Sequence, residues 1–191
     1  MKPFNDYEKV QAFSDLPQLP AGGYVAKIMG AEVVEYDNYS KLLISVDITE
    51  GEYKDYYANQ YRANTSADRK WKGVVRLSIP TDDGSDADVT TKRIFKGCIE
   101  AVEDSNSGYR WDWNEAGLKG KTVGLLVRMK EWEYNGKHGW APECFKLIGV
   151  DLIRSGKFKV PADKPLNGST ATSATSTATG GVISTDDDLP F

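Results

Sequence analysis

The sequence predicts a mainly β domain with a single helix, followed by a disordered C-terminal tail. Three observations carry the prediction. Several segments alternate apolar and polar residues with the two-residue period of a half-buried strand, one segment switches to helical spacing, and the composition changes abruptly after Val160.

Residues 1–23 read as an N-terminal extension and residues 24–160 as the folded domain. The first strand is Tyr24–Glu35, with the turn residues Asp37 and Asn38 behind it. Lys41–Thr49 alternates most cleanly: Leu42, Ile44, Val46 and Ile48 share one face, and Ser45, Asp47 and Thr49 the other. Residues 51–72 are expected to be a long loop. Gly73–Ile79 is the third strand, with Val75, Leu77 and Ile79 inward. The period then changes. Ile94, Cys98 and Val102, together with Phe95 and Ile99, fall on one face of a helix that Asp88 or Thr90 would cap. Lys121–Tyr134 forms a long fourth strand, Asn135-Gly136 marks a tight hairpin, and Gly139–Ile153 returns as the last strand. Three strands, a helix and two more strands is the order of a five-stranded OB-fold barrel, with its helix between strands 3 and 4.

Composition narrows the function classes. The chain has 191 residues, with 28 acidic and 24 basic side chains and a net charge of -4. An acidic total speaks against a phosphate-rich partner, since affinity for nucleic acid rests on Lys and Arg displacing counterions. The charge is segregated, however. Residues 161–191 contain four acidic side chains and one basic one, which leaves the rest of the chain close to neutral. Within the body, Lys119–Lys130 has four basic residues and no acidic one. No run of about 18 apolar residues is present, and the opening MKPFNDYEKV has neither a basic nor an apolar region of the secretory kind. A cytoplasmic protein is expected, without a membrane partner.

Catalytic and cofactor signatures are missing from the sequence. Cys98 and Cys144 match no CxxC spacing and read as reduced core residues. His138 is the only histidine and sits in a turn-like NGKHGW, so a His-rich metal site is impossible. TDDGSDAD, residues 81–88, misses the EF-hand spacing and suits a turn followed by a helix N-terminus. No phosphate-loop, dinucleotide, zinc-protease or nucleophile-elbow motif occurs. A non-enzymatic protein without a cofactor is expected.

Two segments instead interleave rings with cations. In the fourth strand Val123, Leu125, Val127 and Met129 point one way, so Arg128, Lys130, Trp132 and Tyr134 share the other face. Single-stranded nucleic acid is bound by that combination: cations track phosphates while ring faces stack on bases, at about 1–3 kcal/mol per base. Packing of Trp132 and Tyr134 beneath the N-terminal extension is the alternative. Between Glu50 and Lys72, Tyr53, Tyr56, Tyr57, Tyr61 and Trp71 alternate with Lys54, Arg62, Arg69, Lys70 and Lys72. A flexible arm closing over a strand is expected, with Tyr57, Tyr61, Arg62, Arg69, Lys70, Trp71, Lys72 and the nearby Arg76 as candidate contacts, although some rings would staple the loop to the barrel. Trp111 and Trp113 are expected to plug the barrel end.

Residues 161–185 are rich in Pro, Ser, Thr, Ala and Gly and cannot bury enough apolar area to order themselves. As a disordered linker of that length they would span roughly 25–30 Å. Asp186, Asp187, Asp188, Leu189, Pro190 and Phe191 close the chain as an acidic tip with exposed apolar residues. Such a tip suits a basic-rimmed apolar pocket on a partner.

DDDLPF and the linker before it resemble the C-terminal tip of bacterial single-stranded-DNA-binding proteins. The body resembles a phage-encoded family of such proteins, once classed as a domain of unknown function, through PAGGYVAKI, LKGKTVGLLVRMKEWEYNGK and the GKF before the linker. The resemblance covers most of residues 15–160. It implies an OB fold, binding of single-stranded DNA with little sequence preference, and recruitment of replication, recombination or repair enzymes through Asp186–Phe191, in the bacterial host cytoplasm. A protein-interaction adaptor built on a β-barrel is the rival expectation. Homo-oligomerisation is left open.

Overall fold

The computed structural model describes residues 17–166 of the chain. Five strands, β1 (Gly22–Glu35), β2 (Ser40–Ile48), β3 (Val74–Ser78), β4 (Thr122–Tyr134) and β5 (Lys137–Ile148), form one antiparallel sheet in the order β3-β2-β1-β4-β5. Helix α1 (Tyr56–Ala63) lies between β2 and β3, α2 (Asp86–Ser105) between β3 and β4, and the short α3 (Val150–Arg154) after β5. The mainly β character, the five strands and the helix between the third and fourth follow the sequence expectation. No ladder joins β3 to β5 among the described residues, so the sheet is not closed, although these edge strands approach within 8 Å, Cα to Cα. The remainder of the linker, residues 167–185, and the tip, Asp186–Phe191, lie outside the described residues, as do residues 1–16.

β1 serves two neighbours. Residues 22–27 pair with β4 and residues 26–35 with β2, and the register shifts between Ile28 and Gly30. One extra residue at Met29 bends the strand, which lets it follow both partners. The core lies inside the curved sheet, where Leu42, Ile44, Val46 and Ile48 of β2 meet Val75, Leu77, Val123, Leu125 and Val127. Each such side chain contributes roughly 1.5–3 kcal/mol by leaving water. Phe95, Cys98, Ile99 and Val102 of α2 complete this core.

Several local expectations are corrected. Asp47, placed on the outer face of β2, is buried: Oδ1 accepts the N–H groups of Tyr57 (3.0 Å) and Ile48 (2.9 Å), and Oδ2 that of Ala58 (3.2 Å). It thereby satisfies two orphan donors at the start of α1, whose own N-cap residue, Asp55, makes no side-chain cap. Burial pushes the Asp47 carboxyl above its ordinary value, and these N–H groups pull against that shift. α2 is capped by Ser85, not by Asp88 or Thr90. Its hydroxyl accepts the Asp88 N–H, and the buried Asp88 carboxylate folds the preceding turn by accepting the N–H groups of Asp82 and Gly84. The last strand ends at Ile148, where the chain turns into α3.

The linker also starts later than its composition suggests. Lys164 bridges in parallel to Lys130 of β4: its N–H donates to Met129 O (2.8 Å), and the Glu131 N–H donates to its carbonyl (2.9 Å). Residues 161–166 therefore belong to the folded body. β4 has run past the end of β1 here, and its unpaired edge offers this short segment hydrogen bonds that its composition does not reveal.

Candidate nucleic-acid interface

The outer face of β4 is covered at one end and open at the other. Near its start, α3 and Phe158 lie so close that a Cβ at Gly124 would stand 2.7 Å from Ile153, and one at Gly23 of β1 2.6 Å from Phe158. From Arg128 onward nothing comparable covers the face among the described residues, and Arg128, Lys130, Trp132 and Tyr134 project along it as the alternation predicts. Asn135 and Gly136 both adopt positive φ, 50° and 71°, and form the tight turn expected of that pair. Trp132 lies over Gly139, directly opposite: a Cβ there would meet the indole at 2.7 Å. The glycine seats the ring, which remains 41% exposed, and Tyr134 near the turn is 72% exposed.

The two cations of this strand are not free. Glu143, the cross-strand partner of Arg128, accepts from Arg128 Nε at 2.8 Å and lies 3.3 Å from Lys130 Nζ. Partial burial would raise the Glu143 carboxyl, but the Arg128 hydrogen bond and charge, aided by Lys130, hold it below its ordinary range. Arg128 keeps four further guanidinium N–H groups.

Between the edges of β3 and β5 runs a cleft of about 280 Å³, floored by Thr90, Thr91, Ile94 and Cys98 of α2. Arg76, Arg128 and Lys146 enter it from three different strands, against the single carboxylate of Glu143. Phe145 stands between them because the β4–β5 register skips it, leaving it as the extra residue of a bulge. The Arg128 guanidinium stacks over its ring, 4.1 Å from the centroid. Phe145 and Lys146 escaped the sequence reading, because a bulge breaks the alternation by which faces are assigned.

The expected arm is largely part of the body. Residues 51–72 contain α1, and Tyr57 is only 2% exposed, with its hydroxyl 3.1 Å from Cys144 Sγ. Burial raises the pKa of Tyr57, and it takes both Cys98 and Cys144 up to about 11, the state of inert core thiols. Tyr57 therefore has no face to offer a base. Tyr56 is buried beside it, and Trp71 is anchored by its indole N–H, within 3.0 Å of Val46 O and 3.1 Å of Gly73 O. What the arm does present is a smaller cluster. Tyr61 lies 5.8 Å from Trp71, Arg69 stacks 4.7 Å from the Tyr61 centroid, and Arg62, Lys70 and Lys72 are exposed nearby in sequence. Arg62 is held by Asn59 Oδ1 at 2.8 Å.

Other exposed rings were missed or misplaced. Tyr36 and Tyr39 stack at 4.7 Å across the β1–β2 turn, with Lys41 over Tyr39; the repeat YDNY was their only signal. Trp111 packs against the core as expected of a plug, but Trp113 is 79% exposed and has a positive φ of 63°, unusual for a bulky residue. No helix among the described residues is long and apolar enough to cross a membrane. No protein-family model matches the chain, and a search of curated proteins finds no match either.

Proposed function

We propose that this chain is a non-enzymatic single-stranded-DNA-binding protein that coats and protects exposed strands during phage DNA replication, recombination and repair, with little sequence preference. One observation carries the reading: Arg76, Lys146, Arg128 and Phe145 around the cleft lead into Lys130, Trp132 and Tyr134 along the open half of β4. Cations supply salt-dependent attraction for phosphates, and half-exposed rings supply faces for unstacked bases, which a duplex keeps to itself. The connectivity supports the finer reading of an incompletely closed OB barrel: a bulged β1 shared by two neighbours, a helix between β3 and β4, and edge strands β3 and β5 side by side. Asp186–Phe191 would then recruit replication, recombination or repair enzymes in the host cytoplasm.

Titration with oligo-dT, followed by tryptophan fluorescence, tests the proposal. Quenching is expected, with an affinity that falls steeply as salt rises; an unchanged signal at low salt overturns it. Trp113 favours a second reading, a protein-interaction adaptor, since a strained and exposed indole suits a partner surface. The same titration separates the two.

A further inference from the structure

The open half of β4 leads to the cleft between β3 and β5, and among the described residues neither line beyond it carries on. Toward α3 the outer face of β4 is closed, since Ile153 and Phe158 stand over Gly124 and Gly23. Across the sheet, Arg76 of β3 lies in register with Leu43 of β2, and Leu43 with Glu32 of β1, so no cation extends the path straight on. A strand arriving over Tyr134, Trp132 and Lys130 meets its last cluster of cations at the cleft.

The cleft suits an anion with more charge than a bridging phosphate. Its volume of about 280 Å³ is close to the lower limit of small-ligand pockets, about 300 Å³, which is room for one nucleotide and not for a run of them. Arg76, Arg128 and Lys146 converge on it against the single carboxylate of Glu143, leaving two positive charges in excess. Arg128 is oriented in advance. Its Nε donates to Glu143 and its guanidinium stacks on Phe145, so its remaining N–H groups lose little freedom on binding. Arg76 and Lys146 make no ion pair among the described residues. Thr90 and Thr91 spend their hydroxyl hydrogens on their own helix, donating to Asp86 O at 3.0 Å and Ala87 O at 2.9 Å. The charged donors therefore come from three strands and meet at one place. A bridging phosphodiester brings them one charge and two free oxygens, whereas a terminal phosphomonoester brings about -1.5 to -2 at pH 7 and three free oxygens.

We propose that the cleft is an end pocket, which receives the terminal phosphomonoester of a DNA strand whose following nucleotides lie along β4. This assignment rests on the nucleic-acid reading above and names the part of the ligand that the cleft takes. Arg76, Arg128 and Lys146 engage the phosphate oxygens. Leu77 and Ile94, the latter 39% exposed on the floor, form the apolar side against which the end nucleoside packs. A protein with such a pocket recognises where a strand stops as well as coating its length. A free mononucleotide presents the same group.

Binding of the full chain to oligo-dT of about eight nucleotides, ending in phosphate or hydroxyl at the 5′ end and, in a second pair, at the 3′ end, tests the pocket. Phosphorylation of one end, and not of the other, should tighten binding about tenfold, the worth of one added charge-assisted hydrogen bond. The gain should shrink as pH falls from about 7 to about 5.5, where the phosphomonoester dianion takes up a proton. Beside the cations Arg76, Arg128 and Lys146, the groups facing the cleft are Glu143, held below its ordinary range, and Cys98 and Cys144, raised to about 11, so the shrinkage reports the phosphate. Lys146→Ala should abolish the gain, whereas Lys137→Ala near the hairpin turn should weaken both members of a pair alike. Equal affinities within both pairs, an equal gain at both ends, or a gain that survives Lys146→Ala overturn the end pocket. Competition by dTMP and not by thymidine, with phosphate and hydroxyl ends bound alike, overturns the strand end in favour of a free nucleotide. Failure of the hydroxyl-ended oligomers to bind at all overturns the nucleic-acid reading instead.

Discussion

The segment Glu50–Lys72 and the hairpin Arg128–Trp140 both interleave rings with cations, but the first lies against the core and the second runs past it. An eight-residue helix such as α1 cannot sustain itself in water and holds together only by burying a face. Tyr56 and Tyr57 supply that face, and Asp47 reaches over from β2 to satisfy the start of the helix. The hairpin has cross-strand hydrogen bonds along its whole length and needs no such support. Beyond Val127 no β1 residue pairs with β4, and among the described residues Trp132, Tyr134 and Trp140 stay partly or largely exposed there. A ring becomes available to a ligand where its element outlasts the body that would otherwise bury it.

Substitutions at matched aromatic positions should pull the two regions apart. Tyr57→Ala opens a cavity in the core and should cost about 3–5 kcal/mol of stability in urea denaturation, while oligo-dT affinity of the molecules that remain folded stays unchanged. Trp132→Ala should do the reverse: a weakening of oligo-dT binding by about 1–3 kcal/mol, or roughly fivefold to 150-fold, with a small change in the urea midpoint. A Tyr57→Ala protein that is folded yet binds as poorly as Trp132→Ala would erase the distinction.

Asp47→Ala probes the same boundary from the backbone, by leaving the buried N–H groups of Tyr57 and Ala58 without their acceptor. A loss of about 1–3 kcal/mol is expected, again without a change in DNA affinity. Glu143→Gln acts on the hairpin side only. By releasing Arg128 and Lys130 it should tighten oligo-dT binding at low salt and steepen the salt dependence by about one unit of slope, whereas Arg76→Ala should flatten it by about one.

The smallest effect is a matter of pH. The native Glu143 carboxyl is held below its ordinary value, so the stability it contributes is complete above the unfolded value of about 4.3. It is lost as pH falls through the lowered native value. The urea midpoint of Glu143→Gln should therefore decline less between about pH 5 and pH 3 than that of the unaltered chain. Parallel declines would mean that the Arg128–Glu143 pair contributes nothing to folding.

Period and turn chemistry made the strands legible in advance. Leu42, Ile44, Val46 and Ile48 are inward as their alternation requires, and Asn135-Gly136 makes its turn where two positive φ values are needed. The open end of the candidate site was legible for the same reason, since Lys130, Trp132 and Tyr134 hold one face of β4 by parity alone. Parity fails at Phe145, where a bulge inserts one residue, and at Asp47, where a face expected to meet water meets the start of α1 instead. The tyrosines of residues 53–61 have no strict period, so nothing local distinguishes a core ring from an exposed one.

By itself, then, the sequence determined the elements, the tight hairpin, the inward face of each regular strand and the composition break near Val160, because these follow from interactions within a few residues. Only the tertiary structure decided which rings stay exposed, that Arg76, Arg128 and Lys146 share one cleft, that Glu143 restrains two of the cations on β4, and that residues 163–166 return to its free edge. Each of these depends on which distant segment arrives to cover, pair or neutralise a group, and burial and charge pairing are properties of that arrival.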